Sequence, residues 1–168
     1  MKQILTFLGC LAIASIAGCA QASQTLTAVY SGMKFQAPPS PVIVGSLGQN
    51  NDILLMKYSR RSGQQYISFT VENGLDTGGC ELADFFEAVM SMKPDQDCEE
   101  AAVASFREVV AHGTEFGSWK DELRDYYYFL SDQKPSFVFF TSDNGNLIKL
   151  ESDFLDAAGF RTLLGETL

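Results

Sequence analysis

Alternating apolar and polar positions mark the first half of the chain as β-structure. Residues 66–71 place Ile67, Phe69 and Val71 on one face of a strand, because successive side chains of a strand point to opposite faces. Residues 53–58 form a second β-rich run, and the turn residues 60–63 between the two runs predict an antiparallel hairpin. Residues 28–35 predict one earlier strand, which three prolines separate from the short apolar run 42–44.

Beyond the turn at Gly74, the apolar residues recur at helical spacing. The pattern predicts two helices that are separated near Pro94, with Gly113 at the end of the second one. The buried stripe of the first helix is Leu82, Phe85, Phe86, Val89 and Met90, and that of the second is Ala102, Phe106, Val109 and Val110.

The C-terminal third returns to β-structure and closes with a helix. Residues 123–130 and 137–141 predict strands, and Asn144-Gly145 predicts a hairpin with a type I′ turn, since both residue types tolerate positive φ. A last helix is expected to begin near Ser152 or Asp153. Its expected buried residues are Phe154, Leu155, Ala158, Leu163 and Leu164.

This order of elements predicts an α+β fold, in which an antiparallel sheet of about six strands packs with two or three helices. Between Met33 and Leu164, the order resembles the PsbP-type fold of photosystem accessory proteins and of some small bacterial lipoproteins. The resemblance is carried by the element order, by Phe35 with the prolines that follow it, and by Phe154, Leu163 and Leu164 near the end. It implies an accessory or assembly role more than an enzymatic one, although a fold does not assign a function.

The N-terminus has the layout of an export signal, with Lys2 in front of an apolar run of about 14 residues. That run is shorter than the roughly 20 residues that span a bilayer as a helix. Its end, Ile16-Ala17-Gly18-Cys19, resembles the lipobox of bacterial lipoproteins. The alternative is an ordinary signal peptide, with which Cys19 would be discarded.

The lipoprotein resemblance implies a domain organisation and a location. Residues 1–18 would be removed, Cys19 would carry acyl chains such as palmitate, 19–27 would form a tether, and 28–168 would form one α+β domain. Several acyl chains on one residue anchor a protein durably. The family favours the outer membrane when the residue after the cysteine is not Asp, and here it is Ala20. We therefore expect a lipid-anchored protein on the periplasmic face of the outer membrane.

Two cysteines, Cys80 and Cys98, remain once Cys10 is removed and Cys19 is acylated. In an oxidising compartment an even pair predicts a disulfide, which would stabilise the fold by about 3 kcal/mol. A redox-active pair is the alternative, but the spacing is far from Cys-x-x-Cys.

The net charge of −9 makes nucleic acid an unsuitable partner, because its phosphates would be repelled. An acidic surface promotes solubility, and it also suits a basic protein partner.

The sequence contains little catalytic chemistry. His112 is the only histidine, which excludes a zinc site built on two histidines, and its place at a helix end suits a dipole-stabilising role. No phosphate-binding loop, nucleophile elbow or dinucleotide fingerprint occurs. We expect no enzyme activity, no cofactor and no metal.

The tyrosines of the run 126–128 are the candidate recognition residues. On a strand, Tyr126 and Tyr128 share a face, and tyrosine is enriched at binding hot spots; packing on helices is the alternative. The leading hypothesis is therefore a non-catalytic lipoprotein that binds another envelope protein, either as an accessory or assembly factor or as an immunity protein. The second hypothesis is small-molecule or lipid binding in a groove lined by Phe85, Phe86, Phe106 and residues 137–140.

Overall fold

The computed structural model describes residues 25–50, 52–91 and 98–165. The predicted signal sequence, Cys19 and most of the predicted tether lie outside these ranges. The described residues form nine strands: β1 (Leu26–Tyr30), β2 (Met33–Ala37), β3 (Ile43–Leu47), β4 (Ile53–Lys57), β5 (Tyr66–Val71), β6 (Glu115–Lys120), β7 (Asp125–Leu130), β8 (Ser136–Thr141) and β9 (Leu147–Ser152). Their helices are α1 (Leu82–Ser91), α2 (Glu100–Phe106) with a π-helical continuation (Arg107–Ala111), and α3 (Ala157–Leu164).

The predicted α+β fold with an antiparallel sheet is confirmed. The main sheet has seven strands, rather than about six, in the order β3-β4-β5-β9-β8-β7-β6, and β1 and β2 form a separate hairpin. All neighbouring strands are antiparallel. The chain leaves the sheet after β5 to form α1 and α2, and it returns at the far edge with β6. Consequently β3 and β6 are the two edges of the sheet.

One face of the sheet is covered by the β1–β2 hairpin and by α3, which packs against β2. We call the apolar interior on this side the first core. Its largest fully buried side chains include Phe35, Phe69, Tyr126, Phe140 and Phe160. The ring centroids of Phe35 and Phe69 lie 4.4 Å apart, so the hairpin is seated directly on the sheet.

The opposite face is covered only in part. α1, α2 and the π-helical segment pack on β7, β8 and their neighbours and form the second core, in which Phe86 stacks on Tyr127 at 4.5 Å. No residue of β3, β4 or β5 belongs to this second core. Among the described residues, the helices therefore cover one half of this face and leave the other half open.

The expected single strand at 28–35 is wrong, because the chain turns back within it. Ser31 and Gly32 both have positive φ, +48° and +83°, and they join β1 to β2 as a two-residue hairpin loop. Primed turns of this kind match the twist of antiparallel strands. The first of these strands starts at Leu26, inside the segment that we expected to be a tether.

The second helix has a different register from the predicted one. Five residues after Phe106 form a π-helical segment, in which the N–H of His112 bonds the carbonyl oxygen of Arg107 at 2.7 Å. A π-turn contains more residues than an α-turn, so the buried stripe is displaced along the sequence. Val109, expected to be buried, is 72% exposed, and Ala111 is buried instead.

The last helix begins later than expected, at Ala157. Its N-cap is Asp156, whose Oδ1 accepts a hydrogen bond of 2.8 Å from the N–H of Gly159. Phe154 precedes the helix and is 40% exposed, and Ala158 is also exposed, so neither occupies the buried position that was predicted for it. Leu163 and Leu164 are buried as predicted.

The hairpin at Asn144-Gly145 is confirmed, but its turn type is wrong. Thr141 pairs with Leu147, and Ser142 and Asn146 close a three-residue loop in which only Gly145 has positive φ. Such loops combine a type I turn with one left-handed residue. β6, which pairs with β7, was not predicted at all.

The predicted disulfide between Cys80 and Cys98 is confirmed, with the two Cα atoms 4.9 Å apart. It joins the loop before α1 to the start of α2. Beside it, the N–H of Glu99 donates to the carbonyl oxygen of Gly78 at 2.9 Å. The two connections hold the ends of the helix pair together over the second core.

Candidate functional site

The predicted tyrosine surface is wrong for Tyr126. Tyr126 and Tyr128 do share a face of β7, but this face points into the first core, and Tyr126 is completely buried there. Its ring stacks on Trp119 at 5.1 Å, and its hydroxyl donates to Asp121 Oδ2 at 2.7 Å. A side chain in this position packs the core and is not available to a partner.

Tyr128 is partly buried, and Tyr127 is buried on the other face. Tyr128 lies over Gly117, where an added Cβ would come within 2.5 Å of its hydroxyl oxygen. Its ring centroid is also 5.6 Å from that of Trp119. Tyr126 and Tyr127 therefore pack in the two cores, and the prediction of a partner surface remains only for the partly exposed Tyr128.

The Asp121 carboxylate is held in its charged form by its hydrogen bonds. Burial on its own would raise the pKa of Asp121. Hydrogen bonds from the Tyr126 hydroxyl and from the N–H groups of Leu123 (2.7 Å) and Arg124 (2.8 Å), together with the Arg124 charge, outweigh burial and lower that pKa. Burial, and then the bond to this carboxylate, raise the pKa of Tyr126. The hydrogen bond between Tyr126 and Asp121 therefore connects the β6–β7 turn to the first core.

His112 lies exposed at the end of the π-helical segment. Lys134 Nζ donates to the carbonyl oxygens of His112 at 2.8 Å and of Val110 at 3.2 Å, and so satisfies acceptors at the helix end. The described residues contain no group of three or more His, Cys, Asp or Glu side chains that could hold a metal ion.

The residues that were expected to line a ligand groove are divided between the two cores: Val138 and Phe140 lie in the first core, Phe137 is partly buried, and the other phenylalanines lie in the second core. Phe85, Phe86, Phe106 and Phe139 are all buried in the second core. The ring centroid of Phe86 lies 5.7 Å from that of Phe106 and 5.3 Å from that of Phe139. These are ordinary distances for packed aromatic rings. Three clefts of about 580, 560 and 420 Å³ open on the described surface, and none of these four rings lines them.

The strongest candidate for a binding surface is the uncovered half of the sheet. We call it the open sheet face, and it is the side of β3, β4 and β5 that carries Ile43, Leu47, Ile53, Leu55 and Tyr66. Ile43 and Leu47 are 53% and 50% exposed, and the other three are partly exposed. Apolar side chains collected on one uncovered surface mark an interaction site more often than scattered ones do.

The strand register explains why Leu55 lies in the middle of this surface. Leu55 is opposite Gly45 on β3 and Ser68 on β5, so both of its cross-strand neighbours are small. Gly45 has negative φ and nothing within 4 Å of the position where a Cβ would be. Leu55 therefore stands between two small residues, and no large cross-strand side chain lies directly beside it.

Polar and charged groups border the open sheet face on the β9 side. The Tyr66 hydroxyl donates to Glu151, and Glu151 pairs with Lys149 at 3.6 Å. Burial, followed by the bond to Glu151, raises the pKa of Tyr66, which stays neutral. Lys149 also lies 5.5 Å from the ring centroid of Phe137, at the boundary with the second core. The open sheet face thus has an apolar interior and a polar rim.

The sequence did contain a signal for this surface. Residues 53–56 are four consecutive apolar residues, whereas a strand with one face in water normally alternates. Leu54 and Met56 fill the first core, so Ile53 and Leu55 must lie on the other face. A strand that is apolar on both faces, in a sheet that helices cover only in part, predicts a second apolar surface.

No model of a known protein family matches the chain. A search of curated proteins also gives no match, and neither does a search of solved structures. None of the described helices is both long and apolar enough to cross a membrane. The geometry of the chain itself therefore carries the functional argument.

Proposed function

We propose that this protein is a non-catalytic lipoprotein of the outer membrane that binds another envelope protein through the open sheet face. It would serve as an accessory or assembly factor, or as an immunity protein that neutralises an imported toxin. The observation that carries the proposal is an exposed apolar surface on a domain whose sequence begins with a lipobox-like segment.

The predicted anchor at Cys19 is consistent with this choice of surface. The described chain starts at β1, which belongs to the layer that covers the first core, whereas the open sheet face lies on the opposite side of the sheet. The seven peptide units from Cys19 to Leu26 reach at most about 25 Å. An anchor at Cys19 would therefore keep β1 within about 25 Å of the membrane, and the open sheet face is on the other side of the sheet from β1.

The chemistry of the open sheet face favours a protein over a small ligand. Its apolar residues are spread over three neighbouring strands, β3, β4 and β5, and its rim carries Lys57, Lys149 and Glu151. Protein interfaces combine an apolar centre with a polar rim, whereas small-molecule sites are concave and enclose most of the ligand. The burial of Phe85, Phe86 and Phe106 in the second core favours the protein-binding hypothesis over ligand binding in a groove lined by these rings.

The test is affinity capture of the full-length chain, tagged after Leu168, from envelope extracts, with partners identified by mass spectrometry. Leu55→Lys places a charge in the middle of the open sheet face, and its long stem still packs along the surface. Leu123→Lys is the matched control, because Leu123 is 80% exposed in the β6–β7 turn. We expect Leu55→Lys to lose a stoichiometric partner that the wild type and Leu123→Lys retain.

Two results would contradict the proposal. One is capture of the same partner by the wild type, Leu55→Lys and Leu123→Lys, which would show that the interface lies outside the open sheet face. The other is no stoichiometric partner with any of them. Circular dichroism of Leu55→Lys separates a lost contact from a lost fold.

A further inference from the structure

β3 is an edge strand that carries no charged residue, and the prolines nearby, of which Pro41 is the nearest, precede the strand and are not part of it. The part of the chain that the structure describes pairs β3 with β4 only. Val42, Ile43, Val44 and Leu47 are 48%, 53%, 55% and 50% exposed. No residue from Ser40 to Gly48 carries a charge. Natural sheets protect their edges with lysine or other charges, because unpaired N–H and C=O groups accept a further strand.

We propose that β3 of a second copy of this chain pairs with β3 in the antiparallel direction and joins the two seven-stranded sheets into one of fourteen strands. This inference concerns the edge of the sheet and goes beyond the proposed function, which concerns the open sheet face. A two-fold axis through such a pair makes the contact self-complementary, as in most homodimers.

The distribution of charge favours β3 as the contact between two copies of the chain. Each copy has a net charge of −9, so most approaches of two copies bring carboxylates together. The uncharged stretch from Ser40 to Gly48 removes that repulsion. Two charges of opposite sign lie behind this stretch, at the two ends of the neighbouring strand β4. Lys57 is opposite Ile43 and donates to the carbonyl oxygen of Arg61, and Asp52, whose Oδ1 is buried, lies beside Gly48. In an antiparallel pair, Lys57 of one copy and Asp52 of the other lie at the same end of the contact, with their backbones about 14 Å apart across three strand spacings, so this attraction acts at long range and not as an ion pair.

The self-pairing also has a defined register. The register that uses all five residues of β3 is centred on Gly45, so Gly45 is opposite Gly45 of the second copy. It places Ile43 opposite Leu47 of the second copy, and Val44 opposite Ser46. Residues directly opposite share a face, so two Ile43–Leu47 pairs cover exposed apolar surface on either side of the glycines. The two open sheet faces then become one continuous surface that is available to an envelope partner.

The first measurement is the oligomeric state of the purified full-length chain by sedimentation velocity over a range of concentrations. We expect the wild type to shift from the monomer mass to twice that mass as concentration rises. Val44→Lys adds a protective charge to an exposed position, and we expect it to stay monomeric. Ser118→Lys makes the same change at an exposed position of the other edge strand, β6, and we expect it to dimerise like the wild type.

Disulfide cross-linking then tests the register. Gly45→Cys places two thiols next to each other across the two-fold axis, and the site has room for the side chain. Ile43→Cys alone separates its two thiols by four residues along the strands, which is about 13 Å. After mild oxidation, we expect a linked dimer with Gly45→Cys, and with Ile43→Cys mixed with Leu47→Cys. Ile43→Cys alone and Ser118→Cys should give no more than the wild-type level.

Three outcomes would overturn the proposal. They are a wild type that remains monomeric at every concentration, a dimer that Val44→Lys does not weaken, and equal cross-linking of Ile43→Cys and Gly45→Cys. A Gly45→Cys adduct with a different envelope protein would assign the edge to that protein instead. Capture experiments distinguish this failure from failure of the proposed function, because Val44→Lys should still capture the partner that Leu55→Lys loses.

Discussion

Replacing both Cys80 and Cys98 by serine should lower the free energy of unfolding by about 3 kcal/mol. The bridge joins residues separated by 18 positions, and loop-closure entropy for a loop of that length corresponds to about 3 kcal/mol at 25 °C. Single domains are stable by only about 5–15 kcal/mol, so this is a substantial fraction of the total. The melting temperature should fall by roughly 10 °C for a domain of this size.

Urea unfolding followed by two probes measures this effect. Trp119 is the only tryptophan and is buried against Tyr126 in the first core, so its fluorescence reports on a region that contains no part of the bridge. Far-ultraviolet circular dichroism reports on the helices of the second core as well. If the two probes give coincident transitions, the domain unfolds as one cooperative unit, and loss of the disulfide destabilises both cores.

Single variants provide the sharpest control. Cys80→Ser and Cys98→Ser each break the same cross-link, so each should cost as much as the double variant, and the effects should not add. Cys98 is 8% exposed, so its substitution also removes a small packing contribution. A double variant within about 1 kcal/mol of the wild type, or single variants whose costs add, would refute the loop-closure reasoning.

Three further predictions concern the core and its connections. Gly78→Ala should destabilise the domain by about 2 kcal/mol or more in thermal unfolding, because Gly78 has φ of +64° and its Cβ would lie 2.7 Å from the Glu99 nitrogen. Asp121→Asn should be less stable than the wild type at neutral pH. That gap should close as the pH falls below the ordinary Asp value of 3.8, because the pKa of Asp121 is lowered in the fold. Phe86→Ala should cost about 3–5 kcal/mol in urea unfolding, because Phe86 is fully buried against several rings.

Matched variants separate the causes in these three cases. Gly79→Ala has similar backbone strain, with φ of +79°, but no atom within 4 Å of the added Cβ, so it should cost less than Gly78→Ala. Val109→Ala, at a position 72% exposed, should change stability little compared with Phe86→Ala. Equal costs within either pair would contradict the packing argument. A gap between Asp121→Asn and the wild type that persists unchanged at pH 2 would contradict the electrostatic one.

The candidate site was only partly accessible to sequence reasoning. Periodicity correctly placed Tyr126 and Tyr128 on one face of a strand, but it carries no information about which layer covers that face. The β1–β2 hairpin and α3, which are remote in sequence, bury Tyr126. Leu55 lies on the open sheet face because no layer covers it there. The helices between β5 and β6 reach only the β7–β8 half of the sheet.

Local sequence determined the features that depend on neighbours along the chain. These are the alternation of β5, the apolar stripe of α1, the hairpin at Gly145 and the α+β class, since strand and helix periods are set by backbone geometry. The pairing of Cys80 with Cys98 was also predicted from the sequence, because these two cysteines remain when the predicted export signal and Cys19 are set aside.

Tertiary structure alone decided the strand order, the exposure of Val109 and the identity of the edges. Each of these depends on contacts between distant segments, whose closure entropy and packing have no local signature in the sequence. The apolar run 42–44 is only a short strand when it is considered alone. It becomes a candidate dimer contact because β4 pairs with β3 and β5, β9 pairs with the other side of β5, and no described strand pairs with the outer side of β3.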